Sequence, residues 1–543
     1  MSEPSTPPAS TPPGDTPPTD AAATAPAPKE RRRRRTGPLI AAGVVAVALI
    51  AGGITWAVSA NSGSQANAGG VVDTTATVNV GLRLQPDNLD VRKTSGIALD
   101  QVLLDNVYEG LITRGPDNTY VPRIAQKYEV SADGLTYTFT LRDNVTFHDG
   151  AKLTADDVVW SYNTVKDDDS VNGHGDFADV SKISSPDAKT VVITLTKPNL
   201  GFLWSLTGRA GIVLEQAAKN DLATTANGTG PFTIGTGGWK QGDSLTLTRN
   251  QKYYLDAPSI AAVTFIYYSD QSALDNALQA GDLDVGSTTK AVAKGYDSKA
   301  GWSVKETSSS DVWTIAFNNQ KAPLNDVRVR QAIRQAIDHK AFLALDDVSG
   351  KALGSPIPDT DPGYTDLTSI DPYDPAAAKK LLADAGYANG LDLTLTIPSL
   401  YGATVSDLLT SQLREVGITL TVKQVEFPVW LDSVYKQHDY DLSFVDHAEA
   451  RDFGNYANPK YYFGYDNPKV QDLYTQSQET TDLAASDKLL AQASKLVSED
   501  AAADWLYNSS GNQIIRSTIS GFPTTNTNAR LDLSKVVVDS AKK

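Results

Sequence analysis

The segment Pro38 to Val58, PLIAAGVVAVALIAGGITWAV, runs for 21 residues without one charged side chain. At about 1.5 Å per residue, a helix of that length matches the ~30 Å hydrocarbon core of a bilayer. Five arginines, Arg31 to Arg35, stand directly before it. They are expected to hold the N-terminus in the cytoplasm, which places everything beyond Val58 outside. The small-residue run Ala66 to Ala68 (ANA) before Gly69 offers the alternative of a cleaved export signal. The 36-residue leader and the unbroken span favour a retained single-pass anchor at residues 37–58. Both readings put the main domain in an extracytoplasmic compartment, at the cell membrane or secreted after cleavage near Ala68.

The flanks of this span cannot fold on their own. Residues 1–36 are rich in Pro and Thr, with TPP recurring at Thr6, Thr11 and Thr16, and end in the basic run. Such a segment has nothing to bury and is expected to be a disordered cytoplasmic tail. Residues 59–75 begin SANSGSQANAGG and read as a linker. Beyond residue 36 the chain holds 42 basic against 60 acidic groups, a surface that repels nucleic acid. The absence of cysteine excludes disulfides, thiol catalysis and thiolate metal sites.

From about residue 76 the pattern is that of a folded α/β domain. TVNVGLRL, TYTFTLRD, TVVITLT, SLTLTRN, AAVTFIYY, LDLTLTIP and GITLTVKQV are alternating or β-branched runs and predict strands. Helices are expected between them. One starts at Thr154 as N-cap, with Asp157 at its third position. A second spans Asn325 to Asp338, with Val327, Ala332, Ile333 and Ile337 expected on one side. A third, Asp374 to Tyr387, opens on Asp-Pro and closes at Gly386.

The order of several pieces resembles a known family. LDQVLLDNVYEGLI, VPRIAQKYEVSADGLTYTFTLRDNVTFHDGAKLTADDVVWSYN, NGTGPFTI, LTLTRNQKYY, IAFNNQKAPLNDVRVRQAIRQAID and DPAAAKKLLADAGY are similar to the family 5 extracellular solute-binding proteins of ABC importers, the dipeptide/oligopeptide-binding group. The similarity covers roughly residues 76–540. It implies a two-lobed periplasmic-binding-protein-like fold closing on its ligand. Lobe I would comprise 76–98, 212–312 and 507–543, with an inserted subdomain at 99–211, and lobe II 313–506. It implies a short peptide or other small solute as ligand, and ABC permease subunits with their ATPases as partners. No catalysis and no cofactor are expected, and a monomer is expected. Relatives also bind nickel complexes and oligosaccharides.

The resemblance directs attention to VDHAEARDFGNY, Val445 to Tyr456. In the family, a lobe II strand runs here into a cleft loop carrying an aromatic and then an acid that pairs with the ligand's α-ammonium. His447 stands at the aromatic's place and Ala450 at the acid's, with Glu449 one residue before and Asp452 two after. The anchor is therefore Glu449, Asp452 or lost, the remaining possibility being a solvated charged loop. Arg451 would hold a ligand carboxylate or fix Glu449. Asp100 matches an acidic cleft position in some relatives, or is helix-start chemistry. Phe427 stands where relatives place a tryptophan against the peptide, or is core. Trp313 and Tyr456 would line the cleft, or pack inside.

No G-x-S-x-G, H-E-x-x-H or G-K-[ST] is present, and the five histidines are far apart. DDSVNGHGDFAD, Asp168 to Asp179, places oxygens at calcium-loop positions but ends on Asp rather than Glu, before residues that read as strands. It reads as a polar surface loop. A secreted hydrolase and a ligand-sensing ectodomain remain the rival classes.

Overall fold

The computed structural model describes residues 71–542 apart from 95–96, 116–117, 346–347, 400, 402 and 527–529. The tail, the apolar span and the linker up to residue 70 lie outside the described residues. Among the described residues no helix is long and apolar enough to cross a membrane. The linker's last residues are tied down: Val72 bridges Asp539, and the Val71 amide donates to the Asp539 carboxylate at 3.1 Å.

Two long antiparallel strands, Trp302–Phe317 and Ala503–Arg516, organise everything else. They lie in the middle of one 13-stranded sheet. The first half of one, Trp302 to Ser308, pairs with the last half of the other, Arg516 to Ser510, and the sheet continues on that side through the strands Val285–Thr288, Thr77–Leu82, Ala262–Tyr267 and Ser244–Arg249. The register then breaks between Ser308 and Val312. Beyond the break, Val312 to Ala316 pairs with Asn508 to Ala503 and the sheet continues through Leu442–His447, Leu391–Pro398 and Ile418–Val425. Two lobes joined by crossing strands are the result. The irregular backbone at the crossing is satisfied by a side chain: the Asn508 amide donates to the carbonyls of Ser309 and Asp311, both at 2.9 Å.

An insertion in the first lobe forms its own four-stranded antiparallel sheet from Ala125–Val130, Thr136–Leu141, Thr190–Leu195 and Val180–Asp187. Alternation sends Tyr137, Phe139, Val191 and Ile193 inward against Val158, Tyr162 and Val165 of the helix Ala155–Asp167. Thr154 caps that helix as its sequence requires, in a reciprocal box with Asp157. The loop Asp168 to Asp179 is followed by the strand from Val180, and Asp168 accepts from Ser170 within the loop.

The segments carrying the family resemblance converge on one buried residue. Glu109, from VYEGL, accepts from Tyr253 at 2.6 Å and Tyr254 at 3.0 Å, both from NQKYY, and from Thr229 of NGTGPF at 2.8 Å. Arg123 stands 3.9 Å away. Burial pushes the Glu109 carboxyl up, and Arg123 and the three hydroxyls hold it down. The glycines of GTG are spacing devices, since a Cβ on Gly228 would fall 1.9 Å from the Val107 carbonyl and one on Gly230 2.4 Å from that of Asn106.

One helix face differs from expectation. The helix Val327–Ala336 buries Val329, Ala332, Ile333 and Ala336, while Val327 is 38% exposed and Ile337 lies past the helix end, though buried. Spacings of three and four define the true stripe; 327 and 332 are five apart and point about 140° from each other. The helix Pro375–Asp384 has Asp374 as N-cap and Gly386 just beyond in a left-handed conformation, as its punctuation requires.

Candidate functional site

The site is built where the crossing strand meets the strand Leu442–His447. Their antiparallel register sets Trp313 opposite Asp446 and Ile315 opposite Phe444. Period-two alternation then puts Asp311, Trp313, Phe444 and Asp446 on one face, and Val312, Val445 and His447 on the other. The Trp313 ring packs 4.9 Å from Tyr401, 5.0 Å from Phe444 and 6.0 Å from Tyr507, centroid to centroid. An aromatic floor therefore lies beside two carboxylates. Parallel pairing with Leu391–Pro398 stops at Ser443, so the outer edge of the strand past that point takes no further sheet partner there.

The two carboxyls share a poorly solvated place. Burial raises Asp446 to about 8, with a further rise from the charge of Asp311 beside it. Burial raises Asp311 to about 6 against the pull of hydrogen bonds from Ser509 and Ser309. Near neutral pH the pair accordingly carries about one proton and one negative charge. Asp446 Oδ1 is buried and has no hydrogen-bond partner among the described residues. Such an orphan acceptor is uncommon and calls for a donor from elsewhere.

The sequence-predicted residues fall into three groups. His447 and Asp452 are together, Nδ1 to Oδ2 at 3.4 Å, and the His447 Nε2 meets the Tyr462 hydroxyl at 3.0 Å. Asp452 also accepts from Asn455 at 3.3 Å. This pair belongs to the opposite sheet face from Trp313. Tyr456 sits in the same aromatic cluster, 2% exposed, and accepts from the Trp505 indole at 2.8 Å. Phe427 is 40% exposed and stacks on Trp430 at 5.7 Å, again with that cluster and apart from Trp313. Asp100 is ion-paired to Arg209 inside the first lobe.

Glu449 and Arg451 point at the other lobe. Glu449 is exposed, near enough to Asp176 of the insertion for its charge to add to the burial that raises that carboxyl. Arg451 has a left-handed backbone, φ 62°, fixed where its amide donates to the buried Asp361 carboxylate at 2.6 Å. Its guanidinium donates to the Tyr120 hydroxyl at 3.0 Å and lies 3.8 Å from the Trp204 ring centre, both residues of the insertion. The charged loop therefore stands between the lobes. Asp311 and the role of Asp446 escaped sequence reading. They are 135 residues apart, and only strand register makes them neighbours; the one local signal was an acid inside a strand that otherwise reads as buried.

A hollow of about 270 Å³ near Gly235, Gly238, Ser244 and Thr248 lies at the edge of the large sheet far from the crossing strands. Among the described residues no group of three or more His, Cys, Asp or Glu is arranged to hold a metal ion.

The profile of "Bacterial extracellular solute-binding proteins, family 5 Middle" matches residues 119–466. Heme-binding protein A of Haemophilus influenzae is 29% identical over 355 residues, which are 58% of this chain and 63% of that protein, somewhat less than two thirds of its length. The probable D,D-dipeptide-binding periplasmic protein DdpA of Escherichia coli K12 is 27% identical, covering 74% of this chain and 81% of its own. Among solved structures, the periplasmic binding protein DppA of Helicobacter pylori in complex with the peptide STSA superposes with a TM-score of 0.70 at 21% identity, over 86% of this chain and 98% of that one. With a family match over well more than half its length and the two-lobed fold on which it rests, the chain belongs to the bacterial extracellular solute-binding proteins of family 5.

Proposed function

We propose that this chain captures short peptides between its two lobes and delivers them to the membrane permease of an ABC importer, held at the outer face of the membrane by residues 38–58. It makes and breaks no bond; ATP is hydrolysed by other subunits. The observation that carries the reading is Asp446 beside Asp311, two buried carboxyls over the Trp313 floor with one orphan acceptor oxygen. A peptide's α-ammonium supplies the missing donor, and a charge-assisted hydrogen bond is roughly twice as strong as a neutral one. The strand edge past Ser443 supplies backbone groups to an extended ligand, and backbone pairing is indifferent to side chains. In this reading the anchoring acid is Asp446 rather than Glu449 or Asp452, because Asp452 already serves His447 and Asn455 while Glu449 is exposed.

The test is a thermal-shift panel of di- to pentapeptides on the full-length chain, with mass spectrometry of whatever co-purifies. A ligand at 100 times its Kd adds about 2.7 kcal/mol of stability. Stabilisation by peptides with a free N-terminus and not by N-acetylated ones is expected. No shift with any peptide, or a non-peptide solute found in the cleft, refutes the peptide assignment.

A further inference from the structure

The insertion is fastened to the first lobe and only rests on the second. The Asn106 amide donates to the Leu531 carbonyl at 2.6 Å, Arg123 pairs with Asp532 at 2.8 Å, and Arg530 donates to the Thr207 carbonyl at 3.0 Å. Val102, Val107 and Tyr108 share one apolar core with Val80, Val263 and Leu533 of the first lobe. Among the described residues, no buried apolar cluster holds residues of both the insertion and lobe II. An interface without a shared apolar core leaves its two sides free to part and meet again.

What joins the insertion to lobe II is polar and local. The helix Pro468–Glu479 ends on carbonyls that its own turns cannot satisfy. The insertion satisfies one of them: the Leu200 amide donates to the Gln478 carbonyl at 2.9 Å. The turn holding Gly134, φ 69°, lies against the next loop of lobe II, where a Cβ on Gly134 would fall 2.8 Å from Thr481 Cγ2. At a third point the Asn118 side-chain amide donates to the Thr360 carbonyl at 3.0 Å. None of these three contacts uses a residue of the face formed by Asp311, Trp313, Phe444 and Asp446. Opening about the crossing strands would separate all three.

We propose that the insertion is a latch: its contacts at Gln478, Thr481 and Thr360 hold the lobes closed and so raise the affinity for every solute by one common factor. The idea rests on capture between the lobes, and on the peptide reading only for its probes. Closing and solute binding are linked equilibria, so an interaction present only in the closed form slows the escape of whatever is inside without touching it. Each hydrogen bond here is exchanged for one with water on opening, which keeps the latch weak and reversible. Selectivity then belongs to the cleft, and residence time is set at the insertion.

The test uses the full-length chain with Ala-Ala-Ala and Ala-Phe-Ala as probes. Thr481→Arg wedges a long side chain against the Gly134 turn. Asn118→Gly removes the amide and keeps the left-handed backbone of that position, φ 59°. Each variant is expected to release both peptides roughly 3- to 10-fold faster, the equivalent of one hydrogen bond, with association rates and the ratio of the two affinities unchanged. A folding defect would lower the fraction of protein that binds and leave the release rate alone. Unchanged release in both variants overturns the latch, as does a change that differs between the peptides, which would place these residues at the solute. A second measurement needs no solute. The chain has no cysteine, so Gly134→Cys with Thr481→Cys supplies the only thiol pair. The pair is expected to form a disulfide in oxidising buffer, more slowly once Asn118→Gly is added. No disulfide with or without peptide overturns the latch, as does an unaltered rate with Asn118→Gly. If neither peptide binds, the peptide reading fails and the thiol measurement alone decides the latch.

Discussion

Replacing Asp446 by Asn keeps the side chain's shape and removes its titration. In the unsubstituted protein the carboxyl is raised from 3.8 to about 8, first by burial and then by Asp311. An acid with a raised folded pKa contributes its stability in the neutral form. That contribution is complete below the unfolded value near 4 and disappears as pH rises through about 8. A shift of this size corresponds to about 6 kcal/mol at most, at about 1.4 kcal/mol per unit, of which about 3 kcal/mol is lost above pH 6, with Asp311 taking up part of the same proton. For a domain this large, 1 kcal/mol moves Tm by about 1–2 °C. The ligand-free chain should therefore lose several degrees of Tm between pH 6 and pH 9, and Asp446→Asn should be nearly flat over that window. Ligand binding gives a second reading. At pH 7 a cation entering beside Asp446 expels close to one proton, measurable by calorimetry in buffers of different ionisation enthalpy, and at pH 9 it expels almost none. Truncating one partner of a buried charge pair costs about 2–5 kcal/mol, so the variant should bind amine-bearing peptides roughly 30- to several-thousand-fold more weakly. Parallel Tm profiles for the two proteins from pH 6 to 9, together with no proton release at pH 7, would refute the reasoning.

Other perturbations separate anchoring from architecture. Glu449→Ala removes an exposed charge and should change peptide affinity by less than about fivefold in titration calorimetry; a larger loss would return the anchor to that residue. Glu109→Ala strands three hydroxyls in the core, while Arg123 keeps its ion pair with Asp532 at 2.8 Å, and should lower stability by about 2–4 kcal/mol in denaturant unfolding, with little effect on affinity in the protein that remains folded. Gly228→Ala drives a Cβ into the Val107 carbonyl and should cost about 1–3 kcal/mol by the same measurement, whereas Gly175→Ala, with nothing within 4 Å of its added Cβ, should stay within about 0.5 kcal/mol.

What could be read from the chain was what is local. Alternation placed the strands from TVNVGL to ITLTVKQV, Thr154 and Asp374 marked helix starts, and Gly386 marked a helix end, because each rests on a few consecutive residues and the backbone's own periods. The helix from Val327 shows the limit of eye-read periodicity: choosing 327 and 332 instead of 329 and 332 turned the face, though not the element. Of the loop to which the family resemblance pointed, Arg451 stands against the other lobe, at Tyr120 and Trp204.

The order of strands and helices, the α/β class and the family were thus determined by the sequence alone. Which acids face each other was decided only by tertiary structure. Strand register places Trp313 opposite Asp446 and brings Asp311 beside it, and it sends His447 to the reverse face; a slip of one residue would exchange the two sets. Register across 135 residues depends on how two lobes fill their cores around a pair of crossing strands, and no short window of sequence records that packing.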